Sequence, residues 1–284
     1  MTSVQAEVRG SAPEQREGGD LWSERAQDWA EGMEPLMVPV YLAALGRAKL
    51  ASNTKLLDVG CGAGGFLRLA AATGSGADLS GIDAAPGLIS IARDRVPGTD
   101  LQVGDLEDLP YDDTSFDVVT GFNVFQYATD PVAALREAAR VTRLGGKVFI
   151  ASWGREQDCE ASFYLRALAT LLPPSSNGMS PFALSEPGSL EKLALDAELT
   201  PIGLAEVDVP WSFRNLEEAL RALMSPGPAV RAIREAGESL VRAVVTDAIR
   251  PFRTSRGEYR LENRVRFVVA RRIISLYTTY QQRS

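Results

Sequence analysis

Three acids close three apolar runs of this 284-residue chain. Asp58 lies in "LLDVGCGAGG", Asp83 ends "ADLSGID" and Asp105 ends "LQVGD". The first acid is followed at once by a glycine turn. Gly60, Gly62 and Gly65 formally match G-x-G-x-x-G, and Asp83 stands 18 residues beyond Gly65, the layout of a dinucleotide fingerprint. A nicotinamide oxidoreductase is therefore one reading. Asp58 opposes it, because a pyrophosphate approaching this turn meets a carboxylate two residues ahead of the first glycine. An ammonium or sulfonium group would be attracted there instead.

These residues need a frame that brings strand ends together, and the text supplies one. "KLLDV", "ADLSGID", "LQVGD", "FDVVTGF" and "KVFIASW" read as strands, with helical text from Gly64 to about Thr73, from Pro86 to Pro97, and from Asp130–Pro131 to Arg143. That alternation predicts a doubly wound, mostly parallel sheet, in which ligands bind beyond the carboxyl ends of the strands. "TPIGLAEVDVPW" and "ENRVRFVVARR" add two more strands, making seven. Around this α/β core we expect a disordered tail over 1–19, lid helices over 20–50, a ligand-binding core over 51–155, and a cap with a connecting helix over 156–198. The last segment, 199–284, is expected to return strands to the core with a helical insertion at 213–258. Ser185 is read as the cap of the connecting helix, and "LLPPSSNG" as a loop. Trp22 and Trp29 fall seven residues apart on one face of a helix from Asp20 to Gly32.

Composition narrows the chemistry. The chain contains no histidine, which removes the commonest general base and transition-metal ligand and any Ser-His-Asp or Cys-His mechanism. Two cysteines, one of them Cys61 in the glycine turn, make a structural disulfide improbable. A net charge of -7 argues against nucleic acid or an anionic membrane as the main partner. With no membrane-spanning run and no signal-type leader, the expected setting is cytoplasmic, as a monomer or homodimer.

As a set, "LLDVGCGAGG", "GIDAAPGLISIAR", "VGDLEDLPYDDTSFDVV" and "AALREAARVTRLGGKVFI" resemble the class I S-adenosylmethionine-dependent methyltransferases of the ubiquinone/menaquinone-methyltransferase-like type, over residues 55 to about 153. The resemblance implies S-adenosylmethionine as cofactor and S-adenosylhomocysteine as product. It implies that Asp58 supports the glycine loop and the methionine ammonium, with Gly60, Cys61, Gly62 and Gly64 approaching the methionine portion. Asp83 and Ala84 would meet the ribose, and Gly104, Asp105 and Leu106 the adenine. Asn123 would lie at the methionine end, and Trp22 and Trp29 would lid the cofactor. Plain alternatives stand beside these roles: a helix cap for Asp58 or Asp83, a solvated turn for Asp105, simple packing for the tryptophans. Asp117 is read as a turn-holding residue.

Methyl transfer is an in-line displacement, so positioning can supply much of its rate. Without histidine the first candidate for a catalytic residue is Tyr127, just past the fourth strand, followed by Tyr41, Glu34, Asp28 and Glu160. Tyr41, Phe125, Tyr127, Trp153, Phe163 and Trp211 are the candidates for substrate contact. Their aromatic character predicts a small, planar or apolar acceptor, methylated on O, N or C, in specialised metabolism; hydrophobic packing of the cap is the competing explanation. No metal ligand set is recognised. "NVFQY" lacks the Pro-Pro-aromatic text of nucleic-acid amine methyltransferases, and two cysteines do not make an arsenite site. A protein of this fold that binds the cofactor and catalyses cyclisation or rearrangement is the rival reading.

Overall fold

The computed structural model describes residues 13–172 and 180–273. Residues 1–12, most of the "LLPPSSNG" loop and the last eleven positions of the expected C-terminal segment lie outside the described residues. Seven strands form one sheet: β1 (Lys55–Val59), β2 (Asp78–Asp83), β3 (Asp100–Val103), β4 (Phe116–Phe122), β5 (Thr142–Trp153), β6 (Thr200–Asp208) and, later in the chain, β9 (Arg264–Arg271). The order is β3-β2-β1-β4-β5-β9-β6, with the first five parallel and β9 antiparallel to both its neighbours. The order reverses between β1 and β4, so the crevice beyond their carboxyl ends is the topological switch point where open sheets bind ligands.

Period-two alternation decides what each face buries. Leu56, Val118, Phe149 and Phe267 point to one side, and Leu57, Val119, Val148 and Val268 to the other. Helices α3 (Val38–Ala48) and α4 (Gly65–Ala72) pack in the first core, and α6 (Pro131–Val141) and α8 (Ser189–Asp196) in the second. Fully burying a side chain such as Phe149 is worth about 1.5–3 kcal/mol. α5 (Pro86–Arg95) follows β2.

Outside the sheet, α1 (Pro13–Glu24) and α2 (Ala26–Gly32) precede a 3-10 turn at Glu34–Met37. The regions expected as cap and helical insertion hold α7 (Ala161–Ala169), α9 (Leu216–Leu223), α10 (Gly227–Ala236), α11 (Glu238–Ile249) and a small ribbon, β7 (Trp211–Phe213) with β8 (Tyr259–Leu261).

Four boundaries differ from the sequence reading. α1 starts at Pro13, ahead of the expected Asp20, so part of the 1–19 tail is helical. The single helix expected to reach Gly32 breaks at Arg25, whose ψ of 35° leaves the helical region. α8 starts at Ser189 after Gly188, at φ 87°, and Ser185 instead donates its backbone N–H to Phe182. "TPIGLAEVDVPW" is two strands, because Pro210 cannot donate to a ladder.

Candidate active site

β1 delivers Asp58 into the crevice, 2% exposed. Its side-chain partner is Thr120 of β4, whose Oγ1 donates to Asp58 Oδ1 at 2.6 Å. Burial pushes the carboxyl up to about 8; the Thr120 hydrogen bond opposes this, and the nearby charges of Asp83 and Glu34 add to it. The turn that follows needs glycine: Gly60 has φ 71° and Gly62 φ 56°, both left-handed. Space demands it too. A Cβ at Gly60 would lie 2.4 Å from Val124, and one at Gly62 2.7 Å from the Trp29 ring.

Asp83 ends β2 and spans the turn. Oδ2 accepts from the Gly62 N–H and Oδ1 from the Ala85 N–H, both at 2.9 Å. Burial raises its carboxyl, and these two donors work against that rise. Its backbone carbonyl accepts from Gly104 at 3.1 Å, which brings the end of β3 alongside. Asp105 then folds into a tight turn, its Oδ1 accepting from Glu107 at 2.8 Å, with Leu106 half-buried beside it. Asp83 thus also holds the turn ahead of the Pro86 helix, whose N-cap Ala85 makes no side-chain cap, and Asp105 is also a turn acid; Asp83 keeps acceptor capacity beyond its two bonds. Cys61 is buried, and desolvation followed by the charges of Asp83 and Asp58 raises its thiol, so it is no nucleophile. Asp117 accepts from Lys55 N at 2.7 Å and pairs with Arg143, away from this group.

The N-terminal segment closes over the turn. Trp29 rests on Gly62, and the Ser23 hydroxyl accepts from Gly87 at 3.1 Å. Glu34, 3% exposed, accepts from Gly65 at the start of α4 (3.0 Å) and from Arg95 (2.6 Å). Arg95 also donates to Ala30 O at 3.0 Å, so one guanidinium ties lid to core. The sequence offers Glu34 only as a base. Burial raises its carboxyl, while Gly65 and Arg95 oppose that; its position makes it a clasp. A cavity of about 180 Å³ opens beside it, lined by Tyr41, Gly65, Arg68 and Arg95 among others.

The aromatic candidates separate. Trp22 meets Trp29 edge to face (5.9 Å between centroids) and Tyr127 likewise (5.8 Å). Trp153 packs on Trp211 (5.6 Å) and Phe182 (5.7 Å), and Trp211 on Tyr164 (6.1 Å). Tyr41 is buried against Phe66 and Phe122 below the turn. Two candidates lie elsewhere. Phe125, fully buried, belongs to the core on the α6 side, because the 3-10 turn Phe125–Tyr127 rotates it under Gly121. Phe163 is 48% exposed and packs on Phe252, lining a surface groove of about 560 Å³ between α7 and α11. Tyr127 is half-buried, and burial pushes its hydroxyl up to about 12. At neutral pH it offers a neutral hydroxyl, not a phenolate base.

The donor set fits a cationic, hydroxylated ligand. Buried Asp58 and half-buried Asp83 converge with no arginine or lysine of the described residues paired to either. Beside them Asn123, at φ 51°, has a buried Oδ1 without a partner among the described residues; both amide atoms of Gln126, which follows the same strand, are likewise buried and without a partner there. Buried polar atoms of this kind are costly unless something meets them. Among the described residues no group of three or more His, Cys, Asp or Glu is placed to hold a metal, and no helix is long and apolar enough to cross a membrane.

Comparison with known proteins agrees with this geometry. A methyltransferase-domain family model matches residues 57–150. A ubiquinone biosynthesis O-methyltransferase of Xanthomonas oryzae pv. oryzae is 33% identical over 192 residues, 63% of this chain and 79% of that protein. Among solved structures, a geranyl diphosphate C-methyltransferase from Streptomyces coelicolor, bound to S-adenosyl-L-homocysteine, superposes with TM-score 0.55 at 14% identity, covering 93% of this chain and all of that one. The [4+2]-cyclase SpnF superposes with TM-score 0.54 at 17% identity over 83% and 80% of the two chains; these two share the fold. The chain belongs to the class I S-adenosylmethionine-dependent methyltransferases, and S-adenosylmethionine is its methyl donor.

Proposed function

We propose that the enzyme methylates a small, planar, largely apolar acceptor held between the glycine turn and the helical cap, and that it does so mainly by positioning. The observation that carries this reading is two groups of aromatic rings, Trp29 over Gly62 with Trp22 and Tyr127, and Trp153 at the end of β5 with Trp211 and Tyr164. S-adenosylmethionine supplies an electrophilic methyl carbon on a sulfonium. In this proposal Asp58 and the backbone of Gly60, Cys61 and Gly62 hold the methionine portion. Asp83 and Ala84 take the ribose, and Gly104, Asp105 and Leu106 the adenine; Asn123 lies at the methionine end. Residues 20–50 form the lid, 51–155 the binding core, and the cap helices the acceptor side.

Aromatic walls exclude water and fix a planar acceptor, which favours an orientation contribution over proton transfer. With Tyr127 held neutral by burial, its hydroxyl orients the acceptor rather than deprotonating it. The acceptor therefore arrives nucleophilic or easily ionised. Similarity to a protein named as an O-methyltransferase of ubiquinone biosynthesis favours an oxygen nucleophile and a biosynthetic role. The test is product analysis with a panel of phenols, enols, amines and aryl carbons. S-adenosylhomocysteine should form in step with a methylated product. Turnover of an acceptor without S-adenosylhomocysteine would instead support the cyclisation or rearrangement reading.

A further inference from the structure

The N-terminal segment and the core meet at two helix ends, and each end is satisfied from the other side. α4 begins at Gly65, and its N-cap residue, Gly64, has no side chain to offer. α2 ends at Gly32, so Ala30 lies among its last residues, whose carbonyls a helix leaves open. Glu34, on the N-terminal segment, accepts from the Gly65 N–H at 3.0 Å. Arg95, at the end of α5 in the core, donates to Ala30 O at 3.0 Å. The two side chains then pair with each other at 2.6 Å. Charge suits both places, an acid at a helix N-terminus and a base at a C-terminus. Lifting the N-terminal segment would strip both helix ends of their partners at once.

The glycine turn belongs to the same circuit. Gly60 and Cys61 donate to Ile82 O at 2.8 and 3.0 Å, Gly62 to Asp83 Oδ2 at 2.9 Å, and Gly64 to Cys61 O at 3.0 Å, all within the core. Gly65 is the exception, because its acceptor comes from residue 34. Arg95 reaches the turn as well, donating to Ala63 O at 3.4 Å. Glu34 lies flush on this backbone. A Cβ at Gly65 would stand 2.7 Å from its Cδ, 2.9 Å from its Cγ and 3.0 Å from its Oε2, and a Cβ at Gly62 would stand 3.3 Å from its Oε1. Gly65 has no left-handed φ to explain its glycine; what glycine gives there is room for the acid.

We propose that the Glu34–Arg95 pair is a crossed cap that makes closure of the N-terminal segment and shaping of the glycine turn one step, so that Glu34 is a positioning residue for cofactor binding. It touches the turn, not the cofactor, and acts through the Gly65 end of that turn. Cofactor affinity then falls by the fraction of time the crossed cap is open. This rests on the cofactor and lid placement proposed above, and the controls below separate the two.

The probe is S-adenosylhomocysteine, with affinity read by calorimetry and release by stopped flow. The proteins are wild type, Glu34→Ala, Glu34→Gln, Gly65→Ala and the Glu34→Ala/Gly65→Ala double variant. Glu34→Ala and Gly65→Ala should each weaken binding roughly 5- to 150-fold, the usual range of coupling between two sites, and chiefly by faster release. Gly65→Ala does this without removing either charge. Glu34→Gln keeps an acceptor for Gly65 but no charge for Arg95, and should fall between wild type and Glu34→Ala. The double variant should bind no more weakly than Glu34→Ala, because the three atoms nearest the new methyl are gone. Urea unfolding of the ligand-free proteins runs alongside. Wild-type affinity in either single variant overturns the proposal, and lowered stability beside that unchanged affinity marks a structural role. Costs that add in the double variant also overturn it. If Glu34→Ala fails to fold, Gly65→Ala and Glu34→Gln still decide. Asp83→Ala is the control for the site: wild-type affinity there removes the cofactor from this crevice, and both readings fall. Weakening by Asp83→Ala with wild-type affinity in the Glu34 and Gly65 variants sinks the crossed cap alone.

Discussion

Replacing Asp58 by asparagine should make the free enzyme more stable and the cofactor complex weaker. Asp58 is 2% exposed and its carboxyl lies at about 8 instead of 3.8. A carboxylate raised on folding stays protonated in the native state while the unfolded chain ionises. Below about pH 4 both states are protonated and the residue contributes no pH dependence. Between about pH 4 and 8 wild type loses roughly 1.4 kcal/mol of stability per pH unit through this group, and above 8 the loss levels off. The asparagine amide does not titrate but can still accept from Thr120. The stability difference, asparagine variant minus wild type, should therefore climb with pH by on the order of 4 kcal/mol from pH 5 to 8 and then flatten. The assay is urea unfolding of both proteins at intervals from pH 5 to 9. In parallel, calorimetry should show the variant binding S-adenosylmethionine about 10- to 150-fold more weakly, the range for a hydrogen bond to a charged group. A stability difference that does not vary with pH would refute the reasoning, because the acid would then be ionised and compensated by something other than a ligand.

Asp83→Ala should cost about 1.5–3 kcal/mol of cofactor affinity by calorimetry, and it should also loosen the turn, since Gly62 and Ala85 lose their acceptor. Removing residues 1–12 should leave S-adenosylmethionine binding intact, whereas removing 1–33 should weaken it, because Trp29 leaves Gly62; equal affinities would deny the helices a lid role. Tyr127→Phe should lower turnover modestly and Tyr127→Ala more severely, read as initial rates; near-wild-type rates in both would make the residue structural. The lid is also paired to the cap through Arg25–Glu238, Glu24–Arg234 and Glu31–Arg221. These are exposed pairs, each worth about 0–1 kcal/mol, so stopped-flow cofactor release should quicken with added salt and the quickening should vanish when all three arginines are replaced by glutamine.

Much of the frame is legible in the sequence because apolar alternation and helix punctuation are local signals. The strands from β1 to β5, the helices after the turn and after Pro86, and the convergence of Asp58, Asp83 and Asp105 on one crevice all follow from them. What is not legible depends on phase and distance. Phe163 and Tyr164 are neighbours in sequence, and choosing between them needs the helical phase of α7: positions 161, 164 and 168 are buried, which turns Phe163 outward. For Phe125 the sequence leaves substrate contact and packing both open, and the 3-10 turn after β4 decides for packing. Glu34 cannot be seen as a clasp, since its partners Gly65 and Arg95 are 31 and 61 residues away. Gln126 gives no sequence signal beyond its position; only burial without partners marks it.

The central claim is that the crevice between β1 and β4 holds the cofactor through its acids. A crystal structure of the enzyme with S-adenosylhomocysteine tests it most directly. The account expects the ribose hydroxyls on the Asp83 carboxylate, the amino acid end at the Gly60–Gly62 backbone on the Asp58 side, and the adenine beside Asp105 and Leu106. A ligand bound elsewhere, or one in this crevice whose ribose avoids Asp83 while that side chain keeps accepting only from Gly62 and Ala85, would contradict it.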